Sequence, residues 1–144
     1  MTTIAYDGKT LAADRMMTYN DRLCTTCTKI FKLENNDCFQ AIGFSGNVDA
    51  IYKIIEKLED NCYEFERAKE DFSSILIDHA GTPWIIESEG EVAELTIPWA
   101  IGSGGDFARG AMEAGCNARE AVAIATALDI RTGLGYDEIT ITQN

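Results

Sequence analysis

The spacing of apolar residues changes period at Asn47. Beyond it Val48, Ile51, Tyr52, Ile54, Ile55 and Leu58 recur at steps of three and four, with Lys53, Glu56, Lys57 and Glu59 between them. That rhythm belongs to one stripe of a helix. Before it, residues 27–33 and 38–44 alternate, as strands with two distinct faces do, and the polar turn Glu34-Asn35-Asn36-Asp37 joins them. Alternation puts Cys27, Lys29, Phe31 and Leu33 on one face, so Lys29 is expected on the side of two large apolar residues.

Residues 2–6 and 9–13 flank Asp7-Gly8, a dipeptide suited to a two-residue hairpin turn. With Tyr6 opposite Lys9 the register runs back until Thr2 faces Ala13, and Asp14 emerges beside the start of the chain. After the amphipathic helix, residues 60–71 are polar and poorly periodic, and their structure is left open. Strands are read over 74–78 and 84–87, with a further run over 92–101 that Pro98 marks as an edge or a break. Helices follow: one over 106–114, stopped by Gly115, and one opened by Asn117 with Glu120 three residues on, the pattern of a capping box. Residues 138–142 form a last strand. Strands, helix, strands, helices, strand is the order of an α+β layered domain rather than of an alternating parallel sheet.

At 144 residues, 1–144 reads as one domain with no internal repeat or linker. Twelve Lys and Arg against 24 Asp and Glu give a net charge of −12, which repels phosphate backbones and acidic membrane faces. Neither nucleic acid nor a membrane is an expected partner. There is no basic start followed by an apolar stretch, and five cysteines (Cys24, Cys27, Cys38, Cys62 and Cys116) are an odd number at irregular spacing. A reducing compartment, the cytoplasm, is the expected location.

Several chemistries fail on residue type. Gly102-Ser103-Gly104-Gly105 precedes a helix but lacks both the third glycine of a dinucleotide loop and the Gly-Lys-Ser/Thr of a phosphate loop. Gly43-Phe44-Ser45-Gly46-Asn47 departs at its end from the Gly-x-Ser-x-Gly elbow, and the single histidine, His79, directly follows its candidate partner Asp78. Cys24 and Cys27 form a lone C-x-x-C with no second pair, and ordinary thiols are the simpler reading. No ligand spacing for a metal is present, and nothing in the chain requires a metal or an organic cofactor.

The beginning of the chain remains. Removal of Met1 leaves Thr2 with a hydroxyl and a free α-amine. Such an amine titrates near ~7.7–8.0, so at neutral pH a useful fraction accepts a proton. One residue then supplies nucleophile and base. A nearby lysine holds the amine neutral, and a carboxylate anchors the lysine; the hairpin offers Asp14 for the anchor. With Met1 attached the Thr2 nitrogen is an amide and has no basic lone pair.

Thr2-Thr3-Ile4, Ala12-Ala13-Asp14-Arg15, Cys27-Thr28-Lys29, Gly43-Phe44-Ser45-Gly46 with Asp49, Ile101-Gly102-Ser103-Gly104-Gly105 and Asp129-Ile130-Arg131-Thr132-Gly133 occur in one order from end to end. Together they resemble the proteasome β-subunit and HslV peptidases. The resemblance implies the N-terminal nucleophile hydrolase fold, a four-layer αββα sandwich of two antiparallel sheets between helices, here with the second helix shortened. It implies a threonine-type endopeptidase assembled as a homo-oligomeric ring, with peptide or unfolded protein as substrate and room for an ATPase unfoldase as partner. Thr2 becomes the nucleophile, Asp14 and Lys29 the charge pair beside it, and Gly46 the backbone donor to the oxyanion. Ser103, Asp129 and Thr132 hydrogen-bond around the terminal amine. Met17, Cys27 and Asn47 fall near the specificity pocket. Where the family carries paired glycines this chain has Ser45-Gly46-Asn47, which leaves the oxyanion donor open between Ser45 and Gly46. Two other readings stay open: a catalytically silent assembly or interaction module of the same fold with Met1 retained, and a non-peptide amidase using the same threonine.

Overall fold

The computed structural model describes residues 2–19, 22–46, 48–67 and 71–143. It opens with β1 (Ile4–Tyr6) and β2 (Thr10–Asp14), an antiparallel pair with Tyr6 opposite Leu11 and Ile4 opposite Ala13. The turn therefore spans residues 7–10, and the pairing is displaced by two residues from Tyr6 opposite Lys9. Asp7 accounts for the difference. Its Oδ1 accepts the N–H groups of Lys9 and Thr10, both at 2.8 Å, so the carboxylate takes the place of ladder partners. A two-residue displacement keeps every side chain on its face, because the strand period is two. It does bring Asp14 level with Thr3, whose carbonyl accepts the Asp14 N–H at 3.1 Å.

A hairpin absent from the sequence reading follows, β3 (Met16–Tyr19) and β4 (Arg22–Thr26). Then come β5 (Ile30–Lys32) and β6 (Phe39–Gly46), paired with Ile30 opposite Gly43. The strand expected from Cys27 begins only at Ile30, so the alternation never reaches Lys29. Phe31 and Leu33 pack against the first helix, whereas the Lys29 ammonium goes to Asp14 in the other sheet. That first helix, α1 (Val48–Glu59), buries Ile51, Ile54 and Leu58, and residues 60–67 form no helix after it.

Next are β7 (Phe72–Asp78), β8 (Pro83–Glu87), β9 (Val92–Glu94) and β10 (Trp99–Ile101). The run read over 92–101 divides before Pro98, which has no N–H for a ladder, and its halves join different sheets. Helices α2 (Gly105–Glu113) and α3 (Ala118–Leu128) follow, and the Asn117–Glu120 capping box forms with both reciprocal bonds. Strand β11 (Tyr136–Thr140) lies beside β2.

One sheet has the order β10-β1-β2-β11 and the other β5-β6-β7-β8-β9, with every described pairing antiparallel. Alternation in β1 and β2 sorts side chains by size. Ile4, Tyr6, Leu11 and Ala13 join Ile30, Ala41, Ile75 and Ile77 of the second sheet in one cluster. Ala5 and Ala12 meet Ala108, Ala118, Ala121, Val122 and Ala125 of α2 and α3, where small side chains let the helices approach closely. A third cluster joins Ile42, Phe44, Leu76 and Ile86 to Ile51, Ile54 and Leu58 of α1. Burying each large aliphatic side chain contributes about 1.5–3 kcal/mol, so these clusters fix where the ends of β1 and β2 lie. Among the described residues no helix is long and apolar enough to cross a membrane.

Candidate active site

Asp14 ends β2, between β1 and β11, and its side chain is wholly buried. Its Oδ1 accepts the Lys29 ammonium at 2.7 Å and the Thr3 N–H at 3.0 Å. Its Oδ2 accepts the N–H groups of Gly133 at 3.0 Å and Met16 at 3.3 Å. A buried ion pair is tolerable only when its remaining lone pairs are satisfied, and here backbone donors satisfy them. Lys29 is held from behind by its own carbonyl, which accepts the Phe44 N–H of β6 at 2.9 Å.

Thr2 precedes β1 and is 5% exposed. Its nitrogen donates to Ser103 Oγ at 3.1 Å, and its carbonyl accepts the Gly104 N–H at 3.2 Å. The loop from β10 to α2 thus grips the Thr2 backbone from both ends. It needs glycine to do so, since a Cβ on Gly102 would stand 2.0 Å from the Thr2 carbonyl oxygen. Ser103 Oγ in turn donates to Asp129 Oδ2 at 2.6 Å, and Thr132 Oγ1 donates to the same oxygen at 2.7 Å. Asp129 caps the end of α3, and its Oδ1 accepts the Arg131 N–H at 3.1 Å. Burial pushes the Asp129 carboxyl up, but the bonds from Ser103, Thr132 and Arg131 outweigh it and hold the pKa below its ordinary value.

The structure therefore brings Thr2, Ser103, Asp129 and Thr132 into one hydrogen-bonded chain, and Asp14 and Lys29 into one buried pair. Thr3, which the sequence reading does not single out, touches both. Its N–H reaches Asp14, and its hydroxyl lies 2.8 Å from Thr132 Oγ1. The Gly133 N–H is a second contributor that no side-chain pattern marks. Gly46 ends β6 at the entry to α1, with φ 124°, and a Cβ there would lie 2.8 Å from the Asp71 carbonyl oxygen. Met17 lies on β3, and Cys27 follows β4 with its N–H on the Arg15 carbonyl at 2.9 Å. Continuing the β3–β4 register puts Cys27 opposite Arg15, on the same face as Met17 and diagonal to it. Asn47 and Met1 lie outside the described residues, and so does the thiol of Cys24 in the C-x-x-C pair.

Asp78 and His79 do not form a catalytic dyad. Asp78 accepts the N–H groups of Ala80 and Thr82 and the indole of Trp84, and His79 Nε2 faces the Asn36 carbonyl at 3.0 Å. Both residues build turns. Among the described residues no group of three His, Cys, Asp or Glu side chains could hold a metal ion.

No protein-family model matches the chain, and no curated protein matches it. Solved structures do. Eukaryotic HslV from Trypanosoma brucei matches with a TM-score of 0.77 and 25% identity, over 99% of this chain and 99% of that one. BPH of Thiobacillus denitrificans matches with a TM-score of 0.70 and 15% identity, over 99% and 98% of the two chains. The same BPH in complex with epoxomicin matches with a TM-score of 0.71 and 14% identity, over 100% of each. The two BPH matches speak for the fold alone, whereas the HslV match adds a quarter of the residues over almost the whole length. This chain therefore has the fold of these structures, HslV among them.

Proposed function

We propose that, once Met1 is removed, the chain is a threonine peptidase of the HslV and proteasome type that cleaves peptide bonds through an acyl-enzyme at Thr2. The single observation that carries this reading is the convergence on the start of β1 of a buried Lys29–Asp14 pair and the Ser103–Asp129–Thr132 chain. In the proposed step the neutral Thr2 amine accepts the proton of its own hydroxyl as Oγ attacks the substrate carbonyl. Lys29, held by Asp14, keeps the pocket electropositive, which favours the neutral amine and the developing alkoxide. The Gly46 N–H, at the entry to α1, donates to the tetrahedral oxyanion, a contribution of about 2.7–4 kcal/mol for such a donor. The proton then passes to the leaving amine, and water hydrolyses the ester. Met17 and Cys27 lie near the pocket for the substrate side chain, to which the resemblance alone assigns Asn47.

The same reading covers the finer architecture and setting. One domain, 1–144, forms a four-layer αββα sandwich, supported by the three apolar clusters. It works in the cytoplasm on peptide or unfolded protein, as a homo-oligomeric ring with an ATPase unfoldase as partner. Leu128 at 59% exposure and Ile130 at 90% give the end of α3 an apolar surface that favours a second copy.

Intact mass of freshly expressed protein, followed by incubation with a peptide epoxyketone, tests the reading. Loss of methionine and one adduct joined through both the oxygen and the nitrogen of Thr2 are expected. Full-length mass in cells and no adduct would instead support the silent assembly module, which the amide chemistry of a Thr2 still joined to Met1 favours. An adduct without cleavage of any peptide would point to a non-peptide amidase.

A further inference from the structure

We propose that Thr3 is a positioning residue, one that joins the two halves of the site and fixes the direction of its hydrogen-bond chain; the inference rests on the reading of Thr2 as nucleophile. Thr3 is completely buried. Its N–H donates to Asp14 Oδ1 at 3.0 Å and its hydroxyl meets Thr132 Oγ1 at 2.8 Å. The space is reserved for that hydroxyl pair, because a Cβ on Gly104 would stand 2.0 Å from Thr3 Oγ1 and 3.0 Å from Thr132 Oγ1.

Counting protons sets the direction. A hydroxyl carries one hydrogen, and an ionised carboxylate carries none to give. Asp129 is held in its ionised form by its donors, so Thr132 spends its proton on Asp129 Oδ2 at 2.7 Å. Thr3 must then be the donor to Thr132. By the same count Ser103 spends its proton on Asp129 at 2.6 Å, so that its oxygen, not its hydrogen, faces the Thr2 nitrogen at 3.1 Å. The bonds run inward to Asp129 from both ends. In the trimmed protein the neutral amine gives one N–H to Ser103 and keeps its lone pair for the Thr2 hydroxyl proton. A protonated Asp129 would instead donate to Ser103, turn the Ser103 proton onto that lone pair and block the base. Thr3, by donating to Thr132, commits the Thr132 proton to Asp129, which keeps that carboxylate ionised and able to take the Ser103 proton.

Thr3→Val keeps the shape and the N–H but removes the hydroxyl, and Thr3→Ser restores it. The readouts are turnover across pH for trimmed protein and carbon NMR titration of the Asp129 carboxyl. Thr3→Val is expected to lower kcat about tenfold with KM unchanged and to raise the Asp129 midpoint. Thr3→Ser is expected to keep both, and the Thr3→Val/Thr132→Val double variant to lose no more turnover than Thr132→Val alone. Wild-type behaviour in Thr3→Val, a Thr3→Ser loss equal to that of Thr3→Val, or losses that add would each overturn the proposal. Should Thr3→Val not fold, hydroxyl-proton NMR of the wild-type protein decides: the Thr3 hydroxyl proton pointing at Thr132 supports it, and the Thr132 proton pointing at Thr3 overturns it. Trimmed wild-type protein that neither cleaves peptides nor forms the adduct would overturn the peptidase reading, whereas the Asp129 titration would still decide the role of Thr3.

Discussion

The Lys29 ammonium lies 2.7 Å from Asp14 Oδ1, with side chains 6% and 0% exposed, and it comes from outside any strand. Removing the ammonium leaves Asp14 with the N–H groups of Thr3, Gly133 and Met16. Lys29→Ala is therefore expected to fold, to lose roughly 3 kcal/mol of stability, at the low end for breaking a buried pair, and to abolish turnover. Denaturant unfolding and a peptide assay check the two halves. Retained turnover would remove Lys29 from the mechanism.

Gly46→Ala meets two obstacles at once. The residue has φ 124°, where side chains are strained, and the added carbon would lie 2.8 Å from both the Asp71 carbonyl oxygen and Phe72 Cα. Backbone cannot step aside as a flexible side chain can. The variant is expected to lose about 1–3 kcal/mol and to displace the entry to α1, with kcat falling more than KM rises. Unaltered stability would mean that the turn tolerates a side chain there.

Legibility in the sequence followed locality. Asp14 could be read because turn chemistry and strand alternation act over a dozen residues, and even the two-residue displacement caused by the Asp7 carboxylate kept it near the chain start. Lys29 stood out as a lysine in apolar company, although its partner lies in the other sheet. The capping box at Asn117 was fully local and formed as read. Ser103, Asp129 and Thr132 are different, for Ser103 is 101 residues from the Thr2 nitrogen that donates to it. No periodicity encodes such a contact, and only the family resemblance pointed to these residues. Thr3 was read only as part of the Thr2-Thr3-Ile4 opening and given no role, since a hydroxyl beside a short strand looks like any other until its partner across the fold is known. The β3–β4 hairpin escaped because its residues mix polar and apolar types without a glycine turn.

Gly110 offers a control for the glycine argument. It lies within α2, and a Cβ there meets nothing within 4 Å. Gly110→Ala is expected to stabilise the protein by about 0.5–1 kcal/mol through helix propensity, with turnover unchanged. Asn117→Ala should act in the opposite direction by about 1 kcal/mol, as a lost cap does. Thermal unfolding compares the two, and a destabilised Gly110→Ala would mean that α2 has a close neighbour in the assembled protein.

Acid should reveal Asp129. Its folded pKa lies below the ordinary value of 3.8, the bonds from Ser103, Thr132 and Arg131 prevailing over the upward push of burial. A carboxyl depressed on folding stabilises the folded state fully above its unfolded pKa, and that contribution disappears as pH falls through the folded pKa. Asp129→Asn cannot titrate and lacks the contribution at every pH. The melting temperature of the wild-type protein should therefore exceed that of Asp129→Asn near neutrality. The gap should stay constant down to the ordinary carboxylate range and close below it. Because the carboxylate also holds Ser103 and Thr132 in their productive orientation, turnover in Asp129→Asn should be lost near neutrality, where both forms are folded. Calorimetry from neutral pH downward checks the first outcome, and a gap that never narrows would place the stabilising charge on another residue.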